Sequence, residues 1–294
     1  MSLSPKQPTP TELRAGAEAA SAGLPALMLS AERLAAALTA GAHGQRRAGP
    51  GEDFWQYRPA TTGDTARSID WRRSARSDGQ FVRDREAEVP QSASIWVSAA
   101  AGMDYSGGAN RPSKRARADL LALALSMALL DGGERVALAG DPPRPGRFQA
   151  ERIAQSLVSR PPLAGDEDAP PAQALRPGQR VILFDDFLGD PQPVLDYLNR
   201  AAGMGVRGAL MQVLDPDEEG FPWTGAVLFR SASGALKHDT RDAGGLREAY
   251  LARLAERREL LGRAALNASW HFGTHDTVAA PAQALLWLWS VLEG

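Results

Sequence analysis

Residues 180–214 read RVILFDDFLGDPQPVLDYLNRAAGMGVRGALMQVL. Arg180 to Phe184 and Val206 to Leu214 are near-continuous apolar runs, as expected of strands buried on both faces of a parallel sheet, and Asp190 to Ala202 between them predicts a helix. The same alternation extends upstream. Ser94 to Ser98 is a short apolar strand, Ser113 to Leu130 a helix apolar on nearly every side and hence buried, Arg135 to Ala139 a strand and Phe148 to Val158 a helix. A Pro/Asp/Glu-rich loop at 161–171 separates the two halves. Downstream, Ala226 to Arg230 reads as an edge strand, Gly244 to Arg263 as an amphipathic helix, and Ala268 to Phe272 as a strand. Pro281 to Leu292 is a closing helix with proline at its first position. Strands alternating with helices predict an α/β fold with a doubly wound, mostly parallel sheet over 92–294.

Before that sheet the character of the chain differs. Residues 1–50 form an N-terminal segment with helical composition over Thr11 to Ala40, divided by Gly23 and Pro25. Ser30 is placed to cap its second helix, Leu34 and Leu38 share a face, and Gly41 ends it. Residues 51–91 contain the densest chemistry of the chain, FWQYRPATTGDTARSIDWRRSAR at Phe54 to Arg76. Phe54 to Tyr57, Ser68 to Arg72 and Gln80 to Arg85 predict short strands around turns at Gly63-Asp64 and Asp78-Gly79, a small antiparallel β arm. In one reading Trp55, Tyr57 and Trp71 pack beneath the arm, Asp64 caps its turn, and Asp70 pairs with Arg72 or Arg67. In the other, Arg67, Arg72, Arg73 and Arg76 form an exposed surface for carboxylates or phosphate. The two are compatible.

Composition narrows the partners. The 294 residues carry 33 basic and 35 acidic side chains, a net charge of −2, so no overall field attracts nucleic acid or an anionic membrane. Asp84, Glu86 and Glu88 further oppose nucleic-acid binding beside the arginines, and a second basic run, Arg111, Lys114, Arg115 and Arg117, reads as a solvated face. The chain has no cysteine, which excludes disulfides and thiolate chemistry. Its N-terminus lacks a secretory pattern, and Leu120 to Leu130 and Ala284 to Leu292, the longest apolar runs, fall short of the ~20 residues of a membrane span. The expectation is a soluble, cytoplasmic protein.

In a doubly wound sheet, ligands bind beyond the carboxyl ends of the strands. Asp141, Asp185, Asp186 and Asp215 follow predicted strands there and, with Asp217, Glu218 and Glu219 close behind the last, form an acidic crest suited to Mg²⁺ or to an arginine-bearing partner. His271 and His275 do not read as a zinc pair, and no phosphate loop, nucleophile elbow or His-Glu-x-x-His motif occurs. No catalytic constellation is expected.

The Phe54 to Arg76 signature resembles domain-of-unknown-function family fifty-eight (DUF58), von Willebrand A-like proteins often encoded beside MoxR-type AAA+ ATPases. DDFLGD (185–190) and DPDEEGFPWTG (215–225) resemble two further family segments, and the resemblance spans about 24–292. It implies a von Willebrand A-like domain and an adaptor that works with a MoxR-type ATPase on a protein client, in assembly or maturation of a complex. The implied partner-binding residues are Arg58, Gly63, Asp64, Arg67, Asp70, Trp71, Arg72, Ser74 and Arg76, the arginines binding and the others shaping the arm. The related metal-adhesion pattern is Asp-x-Ser-x-Ser, a middle-loop Thr and a later Asp. Here Ser98, Ala100 and Gly102 fall at the first three positions, no threonine lies between Thr65 and Thr224, and only Asp186 matches. The implied site is degenerate, so no metal or other cofactor is expected. The alternative is a divalent-metal-dependent binding or phosphoryl-transfer protein using Asp141, Asp185, Asp186 and Asp215, which predicts stabilisation by Mg²⁺ or Mn²⁺.

Overall fold

The computed structural model describes residues 25–38, 54–60, 69–76, 79–85, 91–163 and 165–293. They belong to two compact units, one comprising 1–41 with 91–294 and the other 42–90.

The larger unit is built on five parallel strands, β3 (Ser92–Val97), β4 (Arg135–Leu138), β5 (Arg180–Asp185), β6 (Arg207–Leu214) and β9 (His271–Asp276), ordered β4-β3-β5-β6-β9. The α/β, mostly parallel expectation is met. The chain steps from β3 to one side and returns to the other, which makes the β3–β5 boundary the switch point. Helix α1 (25–38), α3 (Lys114–Asp131), α4 (Phe148–Ser159) and α8 (Pro281–Glu293) cover one face, where Ile182, Phe184, Met211 and Val213 point. Helices α5 (Gln192–Gly203) and α7 (Arg247–Asn267) cover the other, over Val181, Leu183 and Leu210. α3 has almost no polar face because sheet, α1, α4 and α8 surround it; Leu121 to Leu125 are fully buried. Each large apolar side chain so buried stabilises the fold by roughly 1.5–3 kcal/mol. An antiparallel bridge between Val136 and Arg144 turns the chain back beside β4, so α4 lies on the same face as α3.

Several local expectations are corrected. Ala226 to Arg230 is not an edge of the main sheet: among the described residues β7 (Val227–Arg230) pairs with β8 (Lys237–Thr240) alone, in a separate hairpin. The last strand begins at His271 rather than Ala268. α7 runs on to Asn267, and its end is closed by Ser269 at φ 58° and by the Trp270 N–H donating to the Ala265 carbonyl at 2.7 Å. Pro216–Gly220 is a helical turn, α6, with an Asp215/Glu218 capping box. Ser30 lies inside α1 and does not cap it.

In the smaller unit β1 (Phe54–Pro59) pairs antiparallel with β2 (Phe81–Arg85), with a bulge between Phe54 and Gln56. The described part of the expected strand Ser68 to Arg72, residues 69–72, does not form a strand, and Ser68 lies outside the described residues. Trp71–Ser74 is a helical turn, α2, because the Asp70 carboxylate accepts the Arg73 N–H at 3.0 Å as an N-cap. The Ser74 hydroxyl donates to the Asp70 carbonyl at 2.8 Å and accepts the Phe81 N–H at 3.0 Å, fixing α2 to β2. Among the described residues no helix is long and apolar enough to cross a membrane.

Candidate functional site

The carboxyl ends of β3, β5 and β6 converge on one lysine. Lys114 is the first residue of α3, after the Ser113 cap, and its side chain is only 1% exposed. A cation at a helix N-terminus opposes the helix dipole, and two carboxylates offset it. Lys114 Nζ donates to Asp186 Oδ2 beyond β5 at 2.8 Å and to Glu218 Oε1 in α6 at 2.6 Å. Burial alone would lower the lysine's pKa, but Asp186 and Glu218 outweigh it and raise it, so the ammonium persists. The Tyr105 ring, 5.7 Å from Nζ, adds a cation–π contact.

Beside this pair lies Asp215, whose side chain is fully buried. It accepts the N–H of Gly107 and of Asp217 at 3.0 Å each and pairs with Arg111 Nη1 at 2.9 Å. Burial pushes its carboxyl up, but those backbone donors and Arg111 together hold it below the usual range. Arg111 also reaches Asp217 at 3.0 Å. The chain passes here as glycine for a steric reason. A Cβ on Gly107 would stand 2.5 Å from Asp215 Oδ1 and 2.7 Å from Arg111 Nη1. A second layer supports the first, with Gln212 Nε2 donating to the Asp186 carbonyl at 2.8 Å and Arg258 Nε to Gln212 Oε1 at 2.7 Å. Asp185 is buried next to Asp186, and burial followed by that neighbouring charge pushes its carboxyl well up.

These residues do not fit a divalent-metal site. Ala100 offers a methyl group and Gly102 no side chain, although a Cβ on Gly102 would lie 3.2 Å from Asp186 Oδ2. The cation that Asp186 meets is Lys114. Asp215 is likewise matched by Arg111, and Asp141 lies two strands away from β5, lining a cavity with Arg144 and Gln149. Among the described residues no cluster of three or more His, Asp or Glu is arranged to hold a metal ion.

The run Arg111, Lys114, Arg115 and Arg117, expected as a solvated face, turns inward. Arg115 Nη2 donates to the Ala99 carbonyl at 3.0 Å and its Nε pairs with Asp104, while Arg117 Nη1 donates to the Ala279 carbonyl at 2.8 Å. The cationic roles of Arg111 and Lys114 were missing from the expected crest. The available signal was Lys114 itself, one of only three lysines in an arginine-rich chain.

Of the expected partner-binding residues, Gly63, Asp64 and Arg67 lie outside the described residues, and Arg58 lies in β1 opposite Val82. The structure brings Asp70, Trp71, Arg72, Ser74 and Arg76 together on and around α2. Trp71 is not beneath the arm: it is 57% exposed, because capping by Asp70 turns the chain into a helix and carries the indole outward. Arg72, Arg73 and Arg76 are exposed with it, the Arg73 guanidinium 5.8 Å from the centre of the Phe81 ring. Asp70 serves as the cap rather than only as a partner for an arginine, and Ser74 is the bolt to β2.

Comparison with known proteins bears on the family of the chain. Uncharacterised proteins of Mycobacterium bovis and Mycobacterium tuberculosis are each 24% identical over 232 residues, covering 73% of this chain and 71% of theirs. Among solved structures, the conserved hypothetical protein BatB from Bacteroides thetaiotaomicron aligns with a TM-score of 0.43 at 15% identity, over 69% of this chain and 100% of that one. An aerotolerance-related membrane protein from Bacteroides fragilis aligns at 0.40 and 16%, over 69% and 98%. The family model described as protein of unknown function DUF58 matches residues 56–260, and the chain belongs to that family.

Proposed function

We propose that this chain is a non-enzymatic, von Willebrand A-like adaptor that acts in the cytoplasm with a MoxR-type AAA+ ATPase, presenting a protein client during assembly or maturation of a complex. The observation that carries the reading is the surface of α2: an exposed Trp71 flanked by exposed Arg72 and Arg76 on a turn locked by Asp70 and Ser74. Tryptophan and arginine dominate binding energy at protein interfaces, and a pre-ordered turn presents them at little entropic cost. An indole fills a partner pocket while the guanidiniums fork onto carboxylates. The crest supports an adhesion mode without a metal ion, since Lys114 and Arg111 already supply the cations that Asp186 and Asp215 need.

Binding of the purified chain to the MoxR-type ATPase of the same genome, measured by biolayer interferometry with a non-hydrolysable ATP analogue, tests the proposal. Trp71→Ala and the pair Arg72→Glu/Arg76→Glu are each expected to weaken binding at least tenfold, about 1.4 kcal/mol, with unchanged thermal melts. Absence of binding, or variants that bind like wild type, would overturn it.

A further inference from the structure

At the opposite end of the sheet, positive charge stands without a negatively charged partner among the described residues. Arg180 opens β5 and Arg207 opens β6, and the two are in register. Strand alternation puts both on the face of Ile182 and Ala209, the face that α8 covers. Neighbouring strands lie about 4.8 Å apart, so two guanidiniums leave the sheet side by side, and like charges so placed repel. Neither side chain makes a hydrogen bond or ion pair among the described residues. His271, the first residue of β9, lies on the same face of the next strand and has an imidazole equally without a partner among them.

The three basic residues border a cavity of about 250 Å³ between the ends of α7 and α8. Its other walls are mostly apolar, formed by Trp270, Leu266 and Leu292 among others, with Ser269 beside them. The Trp270 indole N–H is committed to the Val206 carbonyl at 2.8 Å, which fixes the ring as a rigid wall, and Leu266 stands 75% exposed at the rim. The arrangement has two halves. A pair of forked donors suits a carboxylate's two oxygens, and an apolar recess beside it suits a hydrocarbon group. A hydrated inorganic anion would use only the first half, and a neutral hydrocarbon only the second.

We infer that this cavity is a binding site for a carboxylate attached to an apolar group, with Arg180 and Arg207 holding the carboxylate and the Trp270 side of the cavity covering the tail. That chemistry is met by a free aliphatic acid or by the C-terminal residue of a peptide, and the choice of probe separates them.

Titration of the full chain with octanoate and with N-acetyl-leucine, followed by tryptophan fluorescence and by thermal melting, is the test. Saturable binding is expected for at least one of them, tighter for octanoate if the ligand is a free acid and for N-acetyl-leucine if it is a peptide terminus. Acetate and octanol, each carrying half of the recognised chemistry, are expected to bind at least tenfold more weakly. The Arg180→Ala/Arg207→Ala variant should lose at least tenfold in affinity without a lower melting temperature, because neither guanidinium has a partner among the described residues to lose. Leu266→Glu, at an exposed position that the fold does not depend on, should repel the anion and weaken binding similarly. The inference is overturned if neither acid saturates, if octanol matches octanoate, or if both variants bind like wild type.

Discussion

Lys114 concentrates the argument at the scale of the residue. Its ammonium ties the start of α3 to Asp186, 72 positions away in sequence, and to Glu218, 104 positions away. Removing it leaves two mostly buried carboxylates near each other without a counter-charge, a loss that typically costs 3–5 kcal/mol. Lys114→Ala is therefore expected to lower the unfolding free energy by about that amount, and the same variant opens a gap between two oxygen donors. Wild type should melt at the same temperature in EDTA and in millimolar Mg²⁺ or Mn²⁺, whereas Lys114→Ala should be partly restabilised by the divalent ion. A wild-type melt that rises with Mg²⁺ would sink the idea of an internal cation and restore the metal-dependent alternative. The sequence displayed Asp186 and Asp215 at the ends of apolar runs, so half of this site was legible. The other half was not, because a lysine in a basic run looks solvated until the fold brings distant carboxylates to it.

Elements divide by how their surroundings write themselves into sequence. β3, β5 and β6 are buried on both faces, so their apolar runs were plain, as was α3 with its apolar circumference. β8 reads KHDT and is exposed along most of its length, leaving no hydrophobic period to find. β9 was displaced because HFGTHD is mostly polar, and the Ala268 and Ser269 that looked like its start instead close α7. α2 was mistaken for a strand because an aromatic among alternating polar residues suits a pleat, while the decisive signal, Asp70 as an N-cap, is a single side chain. That turn has a consequence for binding. Asp70→Ala removes the cap, worth about 1 kcal/mol, and Ser74→Ala removes the link to β2. Both should weaken ATPase binding severalfold while the β1–β2 pairing and the melt of the larger unit stay as they are. Full affinity in the Asp70→Ala/Ser74→Ala double variant, measured alongside Trp71→Ala, would show that the partner does not read a preformed α2.

For the molecule as a whole, two buried groups set opposing responses to pH. Asp119 in α3 is buried with Arg160 Nη2 3.5 Å from its Oδ1; burial dominates over the pull of Arg160 and Arg115 and pushes its carboxyl up to about 7. Unfolded, that group titrates near 3.8. The folded state therefore holds the proton more tightly, and the stability Asp119 contributes is complete below about pH 3.8 and is lost as pH rises through about 7. His275 in β9 is buried against Arg117; burial first and that positive charge second push its imidazole down to about 4, against an ordinary value of 6.5. Its contribution is complete above 6.5 and is lost as pH falls through about 4. Between about pH 4 and 6.5 the two slopes have opposite signs and similar size, at most about 1.4 kcal/mol per pH unit each, so neither shows in the wild-type profile. Single variants separate them. Relative to wild type, Asp119→Asn should gain stability steadily as pH rises from 4.5 to 6.5, and His275→Gln should lose it over the same interval. Urea unfolding at half-unit pH steps reads both differences, and the double variant should again track wild type. Differences that do not vary with pH would mean that Asp119 is ionised and His275 titrates normally in the folded chain, and the crowding of charge around the amino-terminal half of α3 would then be solvated rather than buried.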